Sequence, residues 1–101
     1  MFSFLKKMLG GETVDLATIK ANGAIVIDVR TPAEFKNGHG KKAINIPLGS
    51  IGGQIKKIKA YQKPIIVCCK SGMRSGQAKR VLKAQGIEVY NGGAWQSVEQ
   101  L

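Results

Sequence analysis

Two short runs, AIVIDV at residues 24–29 and PIIVC at residues 64–68, constrain this chain more than any other feature. Both are β-branched and almost wholly apolar, with no alternation that would leave one face to water. Strands of this kind lie in sheets covered on both sides, which are mostly parallel sheets with crossover helices. The sequence between and around them supplies such helices. Residues 15–22 read as a helix with Asp15 as N-cap and Gly23 just past its end. Thr31, Pro32 and Glu34 set out an N-cap, a first-turn proline and a capping-box acid in order, so a helix starts directly after AIVIDVR. Residues 51–60 read as a modest helix despite Gly52 and Gly53. Residues 75–85 give a stronger one, with Ala78, Val81, Leu82 and Gln85 on one face, Ser75 available as its cap and Gly86 at its end. AWQSVEQL closes the chain as a short helix. Weaker strands are expected at 12–14, 43–46 and 87–90. The alternation predicts an α/β fold, a central parallel sheet with helices on both faces.

At 101 residues we expect the chain to make one domain, without a large cofactor domain of its own. We expect residues 11–101 to form it, with 1–10 (MFSFLKKMLG) as an N-terminal extension or short helix. That extension has its apolar residues ahead of the lysines and is too short for a secretory signal. No segment approaches the length of a membrane span. Charge is more informative: 16 Lys and Arg against 6 Asp and Glu give a formal +10. No acid occurs between Glu34 and Glu88, a stretch holding twelve of those cations. Taken singly these lysines are a solvated surface; collectively they favour anionic partners. Nucleic acid has only this charge behind it, since no aromatic-rich basic strand or recognition helix accompanies it. The two cysteines, Cys68 and Cys69, are neighbours, where a bridge would be strained. Free thiols suit a reducing compartment, so a cytoplasmic location is expected.

Ligands of parallel α/β sheets gather at the carboxyl ends of the strands. There the PIIVC strand runs into Cys69, Lys70, Ser71, Gly72, Met73, Arg74 and Ser75. A thiol with a pKa near 8.5 is only about 3% thiolate at pH 7, and the thiolate is the nucleophile. Half ionisation there requires roughly 2 kcal/mol of differential stabilisation. A helix N-terminus supplies only about 0.3–1 kcal/mol to an exposed anion. Lys70, Arg74 and the backbone N–H groups are expected to supply the remainder. Gly72 permits a backbone conformation in which successive N–H groups converge on one anion, and Ser71 and Ser75 add hydroxyl donors. The loop reads as an electropositive cup around a sulfur.

CKSGMRS resembles the active-site loop of the single-domain rhodanese family of sulfurtransferases, in which a cysteine opens a six-residue loop closed by arginine. DVRTPAEFKNGHGKKAINIP is similar to a second signature of that family, and NGGAWQS to its Gly-Gly-Trp turn. The resemblance covers the chain after its first ten residues. Gly40 departs from it where a larger apolar residue is usual, and Lys42 replaces a common glycine. The resemblance implies a doubly wound domain with a parallel sheet of about five strands. It also implies sulfur transfer through a persulfide on Cys69, without metal or organic cofactor. Arg74 and Lys70 would attract a small anionic sulfur donor such as thiosulfate, and a donor or acceptor protein could fill the same role.

Two other readings compete. Cysteine phosphatases and arsenate reductases place five residues between cysteine and arginine; Cys69 to Arg74 leaves four, whereas Cys68 to Arg74 leaves five. In that register the glycine falls one place late and Val67 replaces a common histidine. A non-catalytic binding module is the third reading, and an intact thiol loop argues against it. Asp28, Arg30 and Glu34 are expected near the site, chiefly as an ion pair bracing the strand end and the next helix. His39, the only histidine, reads as a hydrogen-bonded turn residue rather than a metal ligand. Cys68 reads as an inert buried thiol and Trp95 as a core residue, and the resemblance implies that the turn containing Gly92 and Gly93 lies near the active loop.

Overall fold

The structure, a computed structural model, describes residues 14–101. The extension at 1–10 and the first part of the strand candidate 12–14 lie outside the described residues, and Val14 belongs to no strand. Four strands, β1 (Ile25–Asp28), β2 (Ile44–Asn45), β3 (Ile65–Cys69) and β4 (Val89–Ala94), form one parallel sheet in the order β2-β1-β3-β4. The helices are α1 (Leu16–Ala21), α2 (Pro32–Lys36), a 3-10 helix (Leu48–Gln54), α3 (Ile55–Ala60), α4 (Met73–Ala84) and α5 (Trp95–Glu99). The α/β architecture expected from the sequence is the one observed. Its two apolar runs are the two central strands.

Side chains of β3 divide by the period of two that a strand imposes. Ile65, Val67 and Cys69 join Ile27, Val29, Ile51, Ile58, Ala78 and Leu82 in the larger core, beneath α3, α4 and the 3-10 helix. Ile66 and Cys68 face the other way, toward Val98, Ile19 and Trp95 of α5 and α1. The neighbouring cysteines therefore point into opposite layers, and both are free. Asn45 fixes the edge strand: its amide donates to the carbonyls of Asp28 and Arg30 at 3.0 and 2.9 Å.

Several elements differ from the sequence expectation. Residues 51–60 are not one helix but a 3-10 segment from Leu48 followed by α3. Gly49, Gly52 and Gly53 disfavour α-helix there, and the tighter winding still buries Ile51 and Ile58. Helix α4 starts at Met73, two residues before Ser75, with Gly72 in the N-cap position; Ser75 is inside the helix and caps nothing. Its buried stripe is Ser75, Ala78 and Leu82, while Val81 and Gln85 are exposed. The NGG segment belongs to β4. There Val67 pairs with Asn91 and Cys68 with Gly93, so Gly92 is an extra residue in a bulge. A Cβ on Gly92 would lie 2.4 Å from Val98 Cγ2 and 2.9 Å from Ile66 Cγ2, which explains the glycine. Gly40 packs under α5, where a Cβ would meet Glu99 Oε1 at 2.8 Å. Among the described residues no helix is long and apolar enough to cross a membrane.

Candidate active site

Cys69 is the last residue of β3, and only Lys70, Ser71 and Gly72 separate it from α4. A turn this short reverses the chain because Gly72 adopts φ +102°, a left-handed conformation that a side chain resists. The turn aims the Gly72 N–H at Cys69 Sγ, 3.0 Å away. Ser75, one turn into α4 and fully buried, brings its hydroxyl to 3.4 Å from the same sulfur. Burial pushes the Cys69 thiol up, but the Ser75 hydroxyl and the N–H groups of Ser75, Gly72 and Ser71 outweigh it and bring the thiol down to about 7. Cys68 has no such donors. Burial, reinforced by the charge of Asp28, pushes its thiol up to about 12.

The expected contribution of the two loop cations takes a different form. Arg74 is held by Glu34 of α2 in a two-pronged ion pair, NH1 to Oε1 at 2.7 Å and NH2 to Oε2 at 3.0 Å. The guanidinium holds the Glu34 carboxyl down at about 2, helped by the Thr31 N–H. Lys70, Ser71 and Met73 are exposed around the turn. Activation of the sulfur thus comes from aimed hydroxyl and backbone donors, and Arg74 primarily fastens α4 to α2.

Asp28 and Arg30 do form the buried brace, with Arg30 Nε and NH2 donating to the carboxylate at 2.8–3.0 Å. Arg30 also donates to the Gly38 carbonyl at 2.7 Å and stacks its guanidinium 4.8 Å from the Trp95 ring centroid. Glu34 does not give its carboxylate to this pair, as the sequence suggested; only its backbone carbonyl meets Arg30, at 3.4 Å. His39 donates from Nδ1 to the Phe35 carbonyl at 2.7 Å and stacks on the Phe35 ring, which makes it a hydrogen-bonded residue of the turn that follows α2.

One residue escaped sequence reasoning. Asn91 of β4 accepts from the Ser75 hydroxyl at 2.7 Å and from the Gly93 N–H at 3.0 Å, and donates to the Gly72 carbonyl at 3.1 Å. It thereby joins β4 to the Gly72 end of the turn and to Ser75 in α4. The only sequence signal was a polar residue directly after the expected strand at 87–90 and before Gly92 and Gly93.

Comparison with known proteins places the chain in a family. The rhodanese-like domain family matches residues 5–97. Protein YqhL of Bacillus subtilis is 41% identical over 69 residues, 67% of this chain and 54% of that protein. The chain therefore spans about half the length of that relative. The thiosulfate sulfurtransferase PspE of Escherichia coli is 35% identical over 74 residues, 71% of each chain. Among solved structures, an E. coli rhodanese with anions superposes with a TM-score of 0.68 at 34% identity, covering 74% of this chain and 91% of that one.

Proposed function

Because this chain belongs to the rhodanese-like domain family, we propose that it is a sulfurtransferase working through a persulfide on Cys69. The thiolate attacks the outer sulfur of thiosulfate or of a persulfide donor. With thiosulfate, a Cys69–sulfur bond forms as the sulfur–sulfur bond of the donor breaks, and sulfite leaves with the bonding electrons. An acceptor, cyanide or a thiolate, then attacks the terminal sulfur, forming thiocyanate or a new persulfide and returning Cys69 as thiolate. The reaction is two-stage and covalent, which gives ping-pong kinetics.

The observation that carries this reading is the convergence of the Gly72 N–H and the Ser75 hydroxyl on a sulfur at the end of a central strand. Such donors stabilise a thiolate and then a terminal persulfide anion. The phosphatase register has no comparable support: Cys68 faces the opposite layer, next to Asp28, with its thiol pushed up rather than down. The partners fitting this reading are small sulfur anions or a protein carrying a persulfide, in a reducing compartment such as the cytoplasm. Treatment with thiosulfate followed by mass spectrometry tests it. One added sulfur is expected on Cys69, removable by cyanide and absent from Cys69→Ser; an unmodified Cys69 under saturating donor overturns the reading.

A further inference from the structure

Ser75 has one hydroxyl proton and two neighbours able to take it. Its Oγ lies 2.7 Å from Asn91 Oδ1 and 3.4 Å from Cys69 Sγ. The Asn91 amide is not free to turn over. Its Nδ2 donates to the Gly72 carbonyl, and its Oδ1 accepts from the Gly93 N–H. A reversed amide would set its NH2 against the Gly93 N–H and its oxygen against the Gly72 carbonyl, losing both bonds. Oδ1 therefore faces Ser75 as an acceptor, and the hydroxyl donates to it. What Ser75 offers the sulfur in this arrangement is a lone pair. The 3.4 Å contact is then made by the thiol, with S–H donating to Oγ and O–H donating to Oδ1 in one directed chain.

A thiolate cannot donate, so in that state the chain must reverse at Ser75. We propose that Asn91 is a positioning residue that draws the Ser75 hydroxyl proton away from Cys69, so that Ser75 turns from acceptor to donor only when the sulfur becomes an anion. The exchange balances simply. The thiol proton leaves to solvent, the bond from Ser75 to Asn91 Oδ1 is broken, and one from Ser75 to Sγ replaces it. Asn91 then keeps its bonds to Gly72 and Gly93, which hold the loop in place while the hydroxyl rotates. In effect Asn91 restrains the nucleophile: it favours the protonated sulfur at rest and yields its hydrogen bond as the anion forms. The inference deepens the sulfurtransferase reading and rests on it only in taking Cys69 as the reacting thiol.

The test measures alkylation of Cys69 by iodoacetamide against pH, with fragment masses separating Cys69 from Cys68. Asn91→Ala leaves the Ser75 hydroxyl with only the sulfur to serve. Its alkylation at pH 6 should be roughly two- to sixfold faster than that of the natural protein, the size of one neutral hydrogen bond acting on a thiol already partly ionised there. The two rates should converge above pH 9, where both proteins are thiolate. In a Ser75→Ala background the same substitution should change nothing, because the group through which Asn91 acts is gone. An unchanged or slower rate at pH 6, or an equal change in both backgrounds, overturns the proposal and leaves Asn91 a mere loop support. Should Asn91→Ala fail to fold, the infrared S–H stretch of Cys69 decides, identified by its loss in Cys69→Ser. It should move to higher frequency in Ser75→Ala, because the thiol loses its acceptor; an unmoved band overturns the proposal. Neither readout uses a sulfur donor, so a failure here leaves the sulfurtransferase reading standing, and a failure to transfer sulfur leaves this one.

Discussion

Cys68 and Cys69 are the same residue type one position apart, and the pleat of β3 gives them opposite chemistry. Cys69 meets the donors of its own loop, whereas Cys68 meets Ile66, Val98 and the charge of Asp28. With the Cys69 thiol lowered to about 7, sulfite release in a single turnover should rise as pH passes through 7 and level off by about pH 8. Cys68 should stay unmodified by iodoacetamide in the native protein at pH 8. The same shift has a consequence for stability. Because the fold favours the Cys69 thiolate, the stabilisation is fully present above the ordinary thiol value of 9.0 and is lost as pH falls through about 7. The melting temperature of the natural protein relative to Cys69→Ser should accordingly rise between pH 7 and 9. Gly72 is the backbone origin of this behaviour. At φ +102° an L-residue costs about 1–2 kcal/mol, and a Cβ there would lie 3.3 Å from Gly93 Cα. Gly72→Ala should lower the melting temperature and move the alkylation midpoint upward, as the N–H is turned away from the sulfur; an unmoved midpoint would show that this donor is dispensable.

Between elements, two contacts hold the loop where chemistry needs it. The first is the Glu34–Arg74 pair, which joins α2 to α4 across forty residues of sequence. The fold depresses the Glu34 carboxyl from its ordinary 4.5 to about 2, so this pair stabilises above pH 4.5 and is lost as pH falls through about 2. The melting-temperature deficit of Glu34→Gln should therefore be the same at pH 7 and pH 5 and close toward pH 2. A deficit that closed by pH 4 would mean the carboxyl is not held down. The second contact is the bulge at Gly92, over which α5 packs. A methyl group there meets Val98 and Ile66 well inside contact distance, so Gly92→Ala should cost roughly 1–3 kcal/mol by overpacking, read as a fall in melting temperature. These two contacts also show what could be read in the sequence. The capping box at Thr31 and the apolar runs of β1 and β3 were legible because each is local: a cap needs three neighbouring residues, and a covered strand needs only its own side chains. The partner of Glu34 was not legible, since its own helix and the Asp28–Arg30 brace competed for it and only the fold brings Arg74 within 2.7 Å. Asn91 was hidden for a similar reason. Its position under the loop depends on a one-residue bulge between β3 and β4, and a sequence pattern of period two gives no sign of where pairing slips.

For the whole molecule the question is which of its cations act on the site. All five acids among the described residues are already engaged: Asp15 by Thr18, Asp28 by Arg30, Glu34 by Arg74, Glu88 by the Tyr90 hydroxyl and Glu99 by the Lys41 N–H. Of these only Asp28 and Glu34 meet a cation and the other three keep their charge, so the field is that of the net excess, +10, which raises the encounter rate of any small anion. Distance and screening sort the lysines. From Ile65 to Cys69 the strand rises about 13 Å, and Lys63 lies before its far end, whereas Lys70 adjoins the sulfur in the chain. The Debye length is about 8 Å at 0.15 M salt and about 30 Å at 0.01 M. Lys63 should consequently act on the site only at low salt, and Lys70 at both. We expect kcat/KM for thiosulfate to fall several-fold from 0.01 to 0.15 M salt, while the rate with uncharged iodoacetamide, at a pH where Cys69 is fully ionised, stays level. Lys63→Gln should reduce the thiosulfate rate at 0.01 M and match the natural protein at 0.15 M; Lys70→Gln should reduce it at both. If both substitutions instead behaved alike at 0.15 M, the charge would be serving the surface as a whole, and the acid-free stretch would carry no information about where the donor binds.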